Sequence, residues 1–383
     1  MPLSRVTKCV WQHHNRKTEL QPVFDYFRSI ANEAIRTGIE KNITSQFGLH
    51  YELYYRLRSE FYSQYIYGAL RCAASKLKFY RKMKRKNPQI KIPHISKNHL
   101  ILEGGAYKIS DGQIRIPIRP RQHCRIKLNH YVLEQIRCAK IGSITITEDK
   151  LIISYSKQIT GQNPVSFVAI DRNLDNATTY DTQDKFTIYD LQKANQIKQT
   201  YRQLKSKFKR NDVRIRERIF AKYGKKERNR VHHILHCTSK QIVDQNMGII
   251  LEDIKGIRKL YRRGNGQGSK FRARMNSWSF YELQRQIEYK ARWLGLPVKY
   301  VKASGTSSKC AACGSKMVPE EHRMLSCPHC NIVVDRDINA ARNILARGTR
   351  VVPVGIAGEA MVEESKKNIL KVDAVQLPYQ LTR

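Results

Sequence analysis

Four cysteines, Cys310, Cys313, Cys327 and Cys330, fall in two C-x2-C pairs separated by thirteen residues. Two such knuckles place four thiolates around one tetrahedral ion. Zinc suits an all-sulfur site with no redox demand, and a closed site of this kind is structural rather than catalytic. Gly314 relieves the turn of the first knuckle. His329 lies between two of the ligands and reads as a surface residue or as support for them, not as a fifth ligand. Cys9, Cys72, Cys124, Cys138 and Cys237 are scattered singly, the pattern of small buried hydrophobes in a reducing compartment.

Three acids make a second constellation. Asp171 ends an apolar run (FVAID), Glu252 ends another (IILED), and Asp337 opens a helical run (DRDINAARN). A carboxylate at a strand's end projects from a rigid edge, and one in a helix's first turn faces the positive end of the dipole. Three such acids can converge and hold two Mg²⁺ ions, the equipment for phosphodiester hydrolysis. Strand-end and helix-start aspartates are also ordinary structural residues. The pattern alone leaves both readings open.

The charge balance names the class of partner. The chain has 383 residues, of which 71 are Lys or Arg and 32 Asp or Glu, a formal net charge of +39. A polyanion must neutralise such a field, and nucleic acid is the expected one. No window approaches the roughly 18 apolar residues of a spanning helix, and Met1 to Lys8 lack the apolar core of a secretory signal. The chain therefore reads as intracellular, with no membrane partner. Three basic runs are expected to contact phosphate. Lys76, Lys78, Arg81, Lys82, Lys84, Arg85 and Lys86 interleave with Phe79 and Tyr80, which suits base stacking. Lys205–Arg230 is basic on nearly every helical face. Arg262, Arg263, Arg272 and Arg274 lie in a glycine-rich loop close after Glu252. Trp278, Phe280, Tyr281 and Trp293 fall at helical spacings and read as core. His232, His233 and His236 read as packing or phosphate contacts.

Elements must position these groups. Ser4–Gln12 reads as a strand. Leu20 to about Arg85 reads as helical, with Pro22 in a first turn and further helices over Tyr51–Tyr62 and Tyr65–Tyr80. From Leu100 to Tyr155 the period is two, with hairpins around Asp111-Gly112 and Glu148–Lys150. These strands are expected to close a small barrel that carries the helices as an insertion. Strands at Phe167–Asp171, Ala177–Tyr180, Phe186–Tyr189, Ile249–Leu251 and Val298–Val301 follow. A helical stretch over Leu191 to about Gln245, broken at Gly224, separates the third from the fourth. Ser277–Leu294 and Asp337–Ala346 read as helices.

The run from Ser277 through the cysteines to VVDRDINAARNIL resembles the C-terminal half of TnpB proteins, transposon-encoded RNA-guided nucleases related to type V CRISPR effectors. The order AID, ILED, Thr306-Ser307-Ser308-Lys309-Cys310, DRDINAARN is the family's, over roughly Ser166 to Ala346. The N-terminal half matches only in layout. The resemblance implies a multidomain α+β chain. Its RNase H-like (RuvC) α/β nuclease domain, 161–304 and 334–347, would carry Asp171, Glu252 and Asp337 as catalytic Mg²⁺ ligands. A zinc-ribbon insert, 305–333, would bind target nucleic acid. A wedge-like β-barrel, 1–15 and 95–160, would hold a helical recognition insertion, 16–94, and residues 348–383 would form a flexible tail. Asp337, two residues before Asn339, fits the family's third acid better than Asp335. Arg172-Asn173 stands where the family has Leu-Gly. The implied function is guided cleavage of double-stranded DNA beside a short transposon-adjacent motif, in the cytoplasm or on the nucleoid, with two Mg²⁺, one Zn²⁺ and a guide RNA from the transposon end. The rivals are a guided repressor that does not cut, a miniature CRISPR effector, and a zinc-ribbon regulator without a guide.

Overall fold

In the strand Leu3–His13 (β1), exposed and less exposed positions alternate from Arg5 onward, as expected of a strand with one wet face. The computed structural model describes residues 3–208, 213–349 and 369–370. They divide into two units, one spanning Ser4–Gln158 and the other beginning at Ile159.

In the first unit, Gln21–Glu40 (α1) starts with Pro22 and buries Val23, Phe24, Phe27, Ile30, Ala34 and Ile35. This stripe packs against Gln64–Lys84 (α3), which buries Tyr65, Ile66, Leu70, Ala73 and Leu77. Between them runs Gln46–Leu53 (α2), started by Ser45, whose hydroxyl accepts from the Gly48 amide at 3.0 Å. The helix expected over Tyr51–Tyr62 is thus displaced towards the N-terminus by this cap, and it winds down in turns after Tyr54.

The strands are His99–Leu102 (β2), Lys108–Ser110 (β3), Gln113–Arg119 (β4), Gln122–Lys127 (β5), Lys140–Thr147 (β6) and Lys150–Thr160 (β7). Asp111 and Gly112 take φ of 53° and 67°, as the tight hairpin joining β3 to β4 requires. The ladders group the strands into two sheets, ordered β1-β7-β6-β2 and β3-β4-β5. The period-two reading also passed over His130–Ile136 (α4), which the Asn129 side chain caps at the Val132 amide, 2.8 Å away.

The second unit is built on one mixed sheet. Its elements are Phe167–Arg172 (β8), Asn176–Asp181 (β9), Phe186–Asp190 (β10), Gln192–Ser206 (α5), Val213–Val243 (α6), Gly248–Asp253 (β11), Ser269–Ser277 (α7), Phe280–Leu294 (α8) and Val298–Lys302 (β12). A small sheet follows, Val318–Pro319 (β13), Met324–Ser326 (β14) and Val333–Asp335 (β15), and then Arg336–Thr349 (α9) and Ile369–Leu370 (β16). The main sheet runs β12-β11-β8-β9-β10-β16, with β8, β11 and β12 parallel and β9 antiparallel to β8 and β10.

Both faces of this sheet are covered, which explains the unbroken apolar runs of β8 and β11. Val168, Ile170, Ile249 and Leu251 pack on α6 and α8 through Leu235, Ile242, Leu283 and Ile287. Ala169 and Ile250 pack on the other face against Ile338, Ala341 and Ile344 of α9. Because strand side chains alternate, Asp171 and Glu252, each two residues further on, share the α9 face, and Arg172 takes the opposite one.

Three element limits differ from the sequence reading. Gly224 lies inside α6, and the interruption falls after Ser206. The loop expected over Arg262 to Arg274 is helical from Ser269. Helix α9 runs to Thr349, so it includes the first two residues of the expected tail. The rest of that tail lies outside the described residues apart from β16.

Candidate active site and metal centre

The sheet and α9 bring the three acids to one place. Asp171, at the end of β8, is 7% exposed, and Asp337, in the first turn of α9, is 4% exposed. Glu252, near the end of β11, is half-buried. Burial first, then the charges of Glu252 and Asp337, push the Asp171 carboxyl up to about 8, against the opposing Asn173 hydrogen bond and Arg172 charge. Burial also raises Glu252, opposed by Thr306, Arg172 and Arg347. The charges of Glu252 and Asp337 both act on the buried Asp171 carboxyl, so a cation placed among the three would relieve it. That donor set fits a hard divalent ion, which takes oxygen ligands.

Each acid has partners among the protein's own side chains. Asp171 accepts from Asn173 Nδ2 at 2.8 Å, and Asp337 from Asn176 Nδ2 at 3.1 Å. The Thr306 hydroxyl donates to Glu252, and Arg323 forms an ion pair with Asp337. Behind the sheet, Arg172 donates to the Glu252 main-chain oxygen at 2.5 Å and to Gln284 Oε1 at 2.6 Å, tying the ends of β8 and β11 to α8. Thr306 and Arg172-Asn173 stood out in the sequence, the first in the cysteine-proximal motif and the second as a departure from the family pattern. Nothing there marked Arg323.

Asp335 is engaged elsewhere. Its carboxylate accepts from the backbone amides of Asp337 at 2.7 Å and Ile338 at 3.2 Å, so it caps α9. Asn339 and Asn343 are clamps. Asn339 bonds the Ala311 amide and the Lys309 carbonyl, and Asn343 bonds the carbonyls of Thr306 and Lys309. The segment that puts Thr306 on Glu252 and Cys310 in the cysteine cluster is thereby fastened to the helix bearing Asp337.

The sulfur atoms of Cys310, Cys313, Cys327 and Cys330 all lie within 4.8 Å of one another. Among the described residues they are the only His, Cys, Asp or Glu group so closely gathered. The pairs Cys310–Cys330 and Cys313–Cys327 stand 3.6 and 3.4 Å apart. That is too long for a disulfide and close to the roughly 3.8 Å between sulfurs on a tetrahedral zinc with bonds of about 2.3 Å. The two knuckles match in detail. The amides of Gly314 and Asn331 reach back 2.9 Å to the carbonyls of Cys310 and Cys327, and both residues are left-handed, φ 77° and 57°. This cluster could bind zinc. Of the lone cysteines, Cys124 is buried as expected, but Cys9 and Cys138 are exposed.

The basic residues fall on surfaces. Lys78, Arg81, Lys82, Lys84, Arg85 and Lys86 are exposed around the end of α3, and Lys76 is half-buried. Of the interleaved rings, Phe79 is exposed but Tyr80 is buried, with the Lys84 ammonium 5.7 Å above it. Arg262 and Arg263 are exposed, Arg272 bonds the Gln267 carbonyl, and Arg274 pairs with Asp175 at 2.9 Å. Tyr281, expected in the core, is 63% exposed, since α8 turns its Leu283–Ile287 stripe inward instead. His236 is exposed on α6, where partial desolvation and then Lys290 push it down to about 4 and its ring meets the Tyr289 hydroxyl.

Similarity to known proteins agrees with this geometry. Residues 280–344 match the Cas12f1-like TNB domain, and residues 23–117 match the uncharacterized protein MJ0013 family. TnpB-like protein MJ0751 of Methanocaldococcus jannaschii is 32% identical over 265 residues, 64% of this chain and 94% of the relative. The CRISPR-associated endodeoxyribonuclease Cas12f1 of Sulfoacidibacillus thermotolerans is 33% identical over 118 residues, 28% of this chain but 25% of that protein. In fold, the chain is similar to Cas12f1 in its complex with sgRNA and target DNA, with a TM-score of 0.55 and 14% identity over 86% of this chain and 83% of that one. The mixed α/β multidomain fold is that of the Cas12f and TnpB proteins, and on the extent and identity of the M. jannaschii match, the chain belongs to the TnpB family.

Proposed function

We infer that the chain is an RNA-guided DNA endonuclease. The observation that carries this reading is the convergence of Asp171, Glu252 and Asp337 on one face of the sheet, where burial first and then the charges of the other two push the Asp171 carboxyl up to about 8. The family relationship supplies the nucleic-acid context, and the net charge of +39 agrees with it. In this reading the main sheet with α9 is a RuvC-type, RNase H-like nuclease domain and the four-cysteine segment is a zinc ribbon. The N-terminal sheets and helices, a wedge-like barrel with its insertion, read a short DNA motif and hold the guide.

Asp171, Glu252 and Asp337 would hold two Mg²⁺ ions, which when bound supply water activation and charge neutralisation at the leaving oxygen. The protein's part is positional. Thr306 fixes one Glu252 oxygen, Asn173 and Asn176 orient the two aspartates, and Arg172 anchors the Glu252 backbone from behind. Base pairing between a guide RNA, here proposed to derive from the transposon end, and the target strand supplies sequence specificity.

The test is to copurify the protein with its RNA, sequence that RNA, and assay cleavage of a matching duplex. Asp171→Ala, Glu252→Ala and Asp337→Ala should each abolish Mg²⁺-dependent cutting while guided binding persists. Sequence-specific DNA binding that survives ribonuclease treatment would overturn the guided reading in favour of a zinc-ribbon regulator.

A further inference from the structure

Helix α2 is apolar on both sides. Leu49 and Leu53 are buried, yet Phe47, Tyr51 and Tyr55 on the other side are 87%, 87% and 81% exposed. A helix that is apolar all round is ordinarily covered. The three rings stand four residues apart, on α2 and the helical turn that continues it, so they form one row. The row has a firm backing. Tyr55 meets Tyr54 edge-on at 5.6 Å, Tyr54 stacks on His50 at 4.5 Å, and His50 stacks on Tyr67 of α3 at 4.9 Å. The Arg58 guanidinium lies over the Tyr54 ring at 5.6 Å, beside the row.

We propose that Phe47, Tyr51 and Tyr55 form a stacking ladder for unpaired bases of a single-stranded nucleic acid, with Arg58 set to meet its phosphates. Charge decides the occupant. A second copy of a +39 chain would bring like charge to the surface, whereas a nucleic-acid strand brings apolar base faces on an anionic backbone. Four helical residues rise about 6 Å, so successive rings of the row are stepped along the helix on the scale of a nucleotide. Sequence preference should be weak, since every base offers a π-face. The proposal deepens the guided reading by assigning a surface for an unpaired stretch of its RNA, and it rests on that reading only for the identity of the strand.

Direct binding to the full chain, cleared of copurified RNA, tests this without guide or cleavage. The probes are a fluorescein-labelled 12-nucleotide single-stranded RNA and the same RNA fully paired. Phe47→Ala, Tyr51→Ala and Tyr55→Ala together should weaken single-strand binding by roughly a hundredfold, leave duplex binding within about twofold, and leave the salt slope unchanged because no cation is lost. Phe47→Tyr or Tyr51→Phe should retain binding. Because all three rings are exposed, the melting temperature should not move. Equal loss on both probes, or no loss, overturns the ladder. So does a wild-type dimer that the triple variant converts to monomer with RNA binding intact, which would make the row a protein interface. Failure of guided cleavage would leave this result standing, and failure here would leave the nuclease reading standing.

Discussion

The guanidinium of Arg323 sits on a carboxylate oxygen of Asp337, so the turn between β13 and β14 of the four-cysteine segment reaches the acid that opens α9. The contact is held by an unusual backbone. His322 and Arg323 are consecutive non-glycine residues in the left-handed region, φ 50° and 70°. Such residues persist only where their surroundings fix them, and they gather at functional sites. Burial works to lower the Arg323 pKa, but the charge and hydrogen bond of Asp337, with the charges of Asp335 and Asp171, outweigh it and raise it.

A cation already on Asp337 competes with any other. Arg323→Gln should therefore tighten divalent binding by about two- to fivefold, the modest size following from a half-exposed arginine in a screened ion pair. Calorimetric titration with Ca²⁺, which does not require turnover, checks it. Weaker divalent binding in Arg323→Gln would mean that the arginine organises the acids rather than competing for them.

The Asp171 carboxyl, raised from 3.8 to about 8, fixes the sign of a pH effect. Between these values the folded chain holds a proton that the unfolded chain has released. Stability of the metal-free protein therefore falls as pH rises through that window. A bound divalent ion removes the cause by displacing the proton. The Mg²⁺-induced rise in melting temperature should be small near pH 6 and larger near pH 9, and Asp171→Asn should flatten the trend. An equal rise at both pH values would show that Asp171 does not meet the ion.

Much of this site was legible in the sequence because its parts are short and local. FVAID and IILED announce buried strands ending in acids, and two C-x2-C pairs fix a cluster by spacing alone. The supports were not legible, because they join residues far apart in the chain. Arg323 lies in a stretch with no periodicity, and its role depends on a turn that places it on α9. Arg172 looked like a departure from a family pattern and proves to be a buried tie between β8, β11 and α8. In the N-terminal unit the helical blocks were readable from their apolar steps. The start of α2 turned on one capping serine, and which strands share a sheet turned on pairings that alternation does not encode.

Asp335 and Asp337 are separated by one residue and do different work. Asp335→Ala should cost about 1 kcal/mol through loss of the cap on α9 and should lower cleavage only in part. Asp335→Ser or Asp335→Asn, which still cap, should restore both. Paired melting and cleavage assays on the three variants decide the point. An inactive Asp335→Asn would make Asp335 a reacting group and move the third acid.

The cysteine cluster and the acids share a fastening, which makes the metal's removal informative. The protein should carry about one zinc per chain by elemental analysis. Cys327→Ser should lower that content, whereas Cys138→Ser, an exposed cysteine outside the cluster, should not. Loss of zinc leaves the segment from Thr306 to Cys313, which carries the Thr306 hydroxyl to Glu252, held only by Asn339 and Asn343. Cleavage should then fall even on a target that remains bound. Asn339→Ala and Asn343→Ala together cut the same segment from α9 while leaving the thiols in place, so the double variant should lower cleavage with zinc retained. If that double variant cleaves normally while Cys327→Ser does not, the zinc acts on the handling of the target strand and not through Glu252.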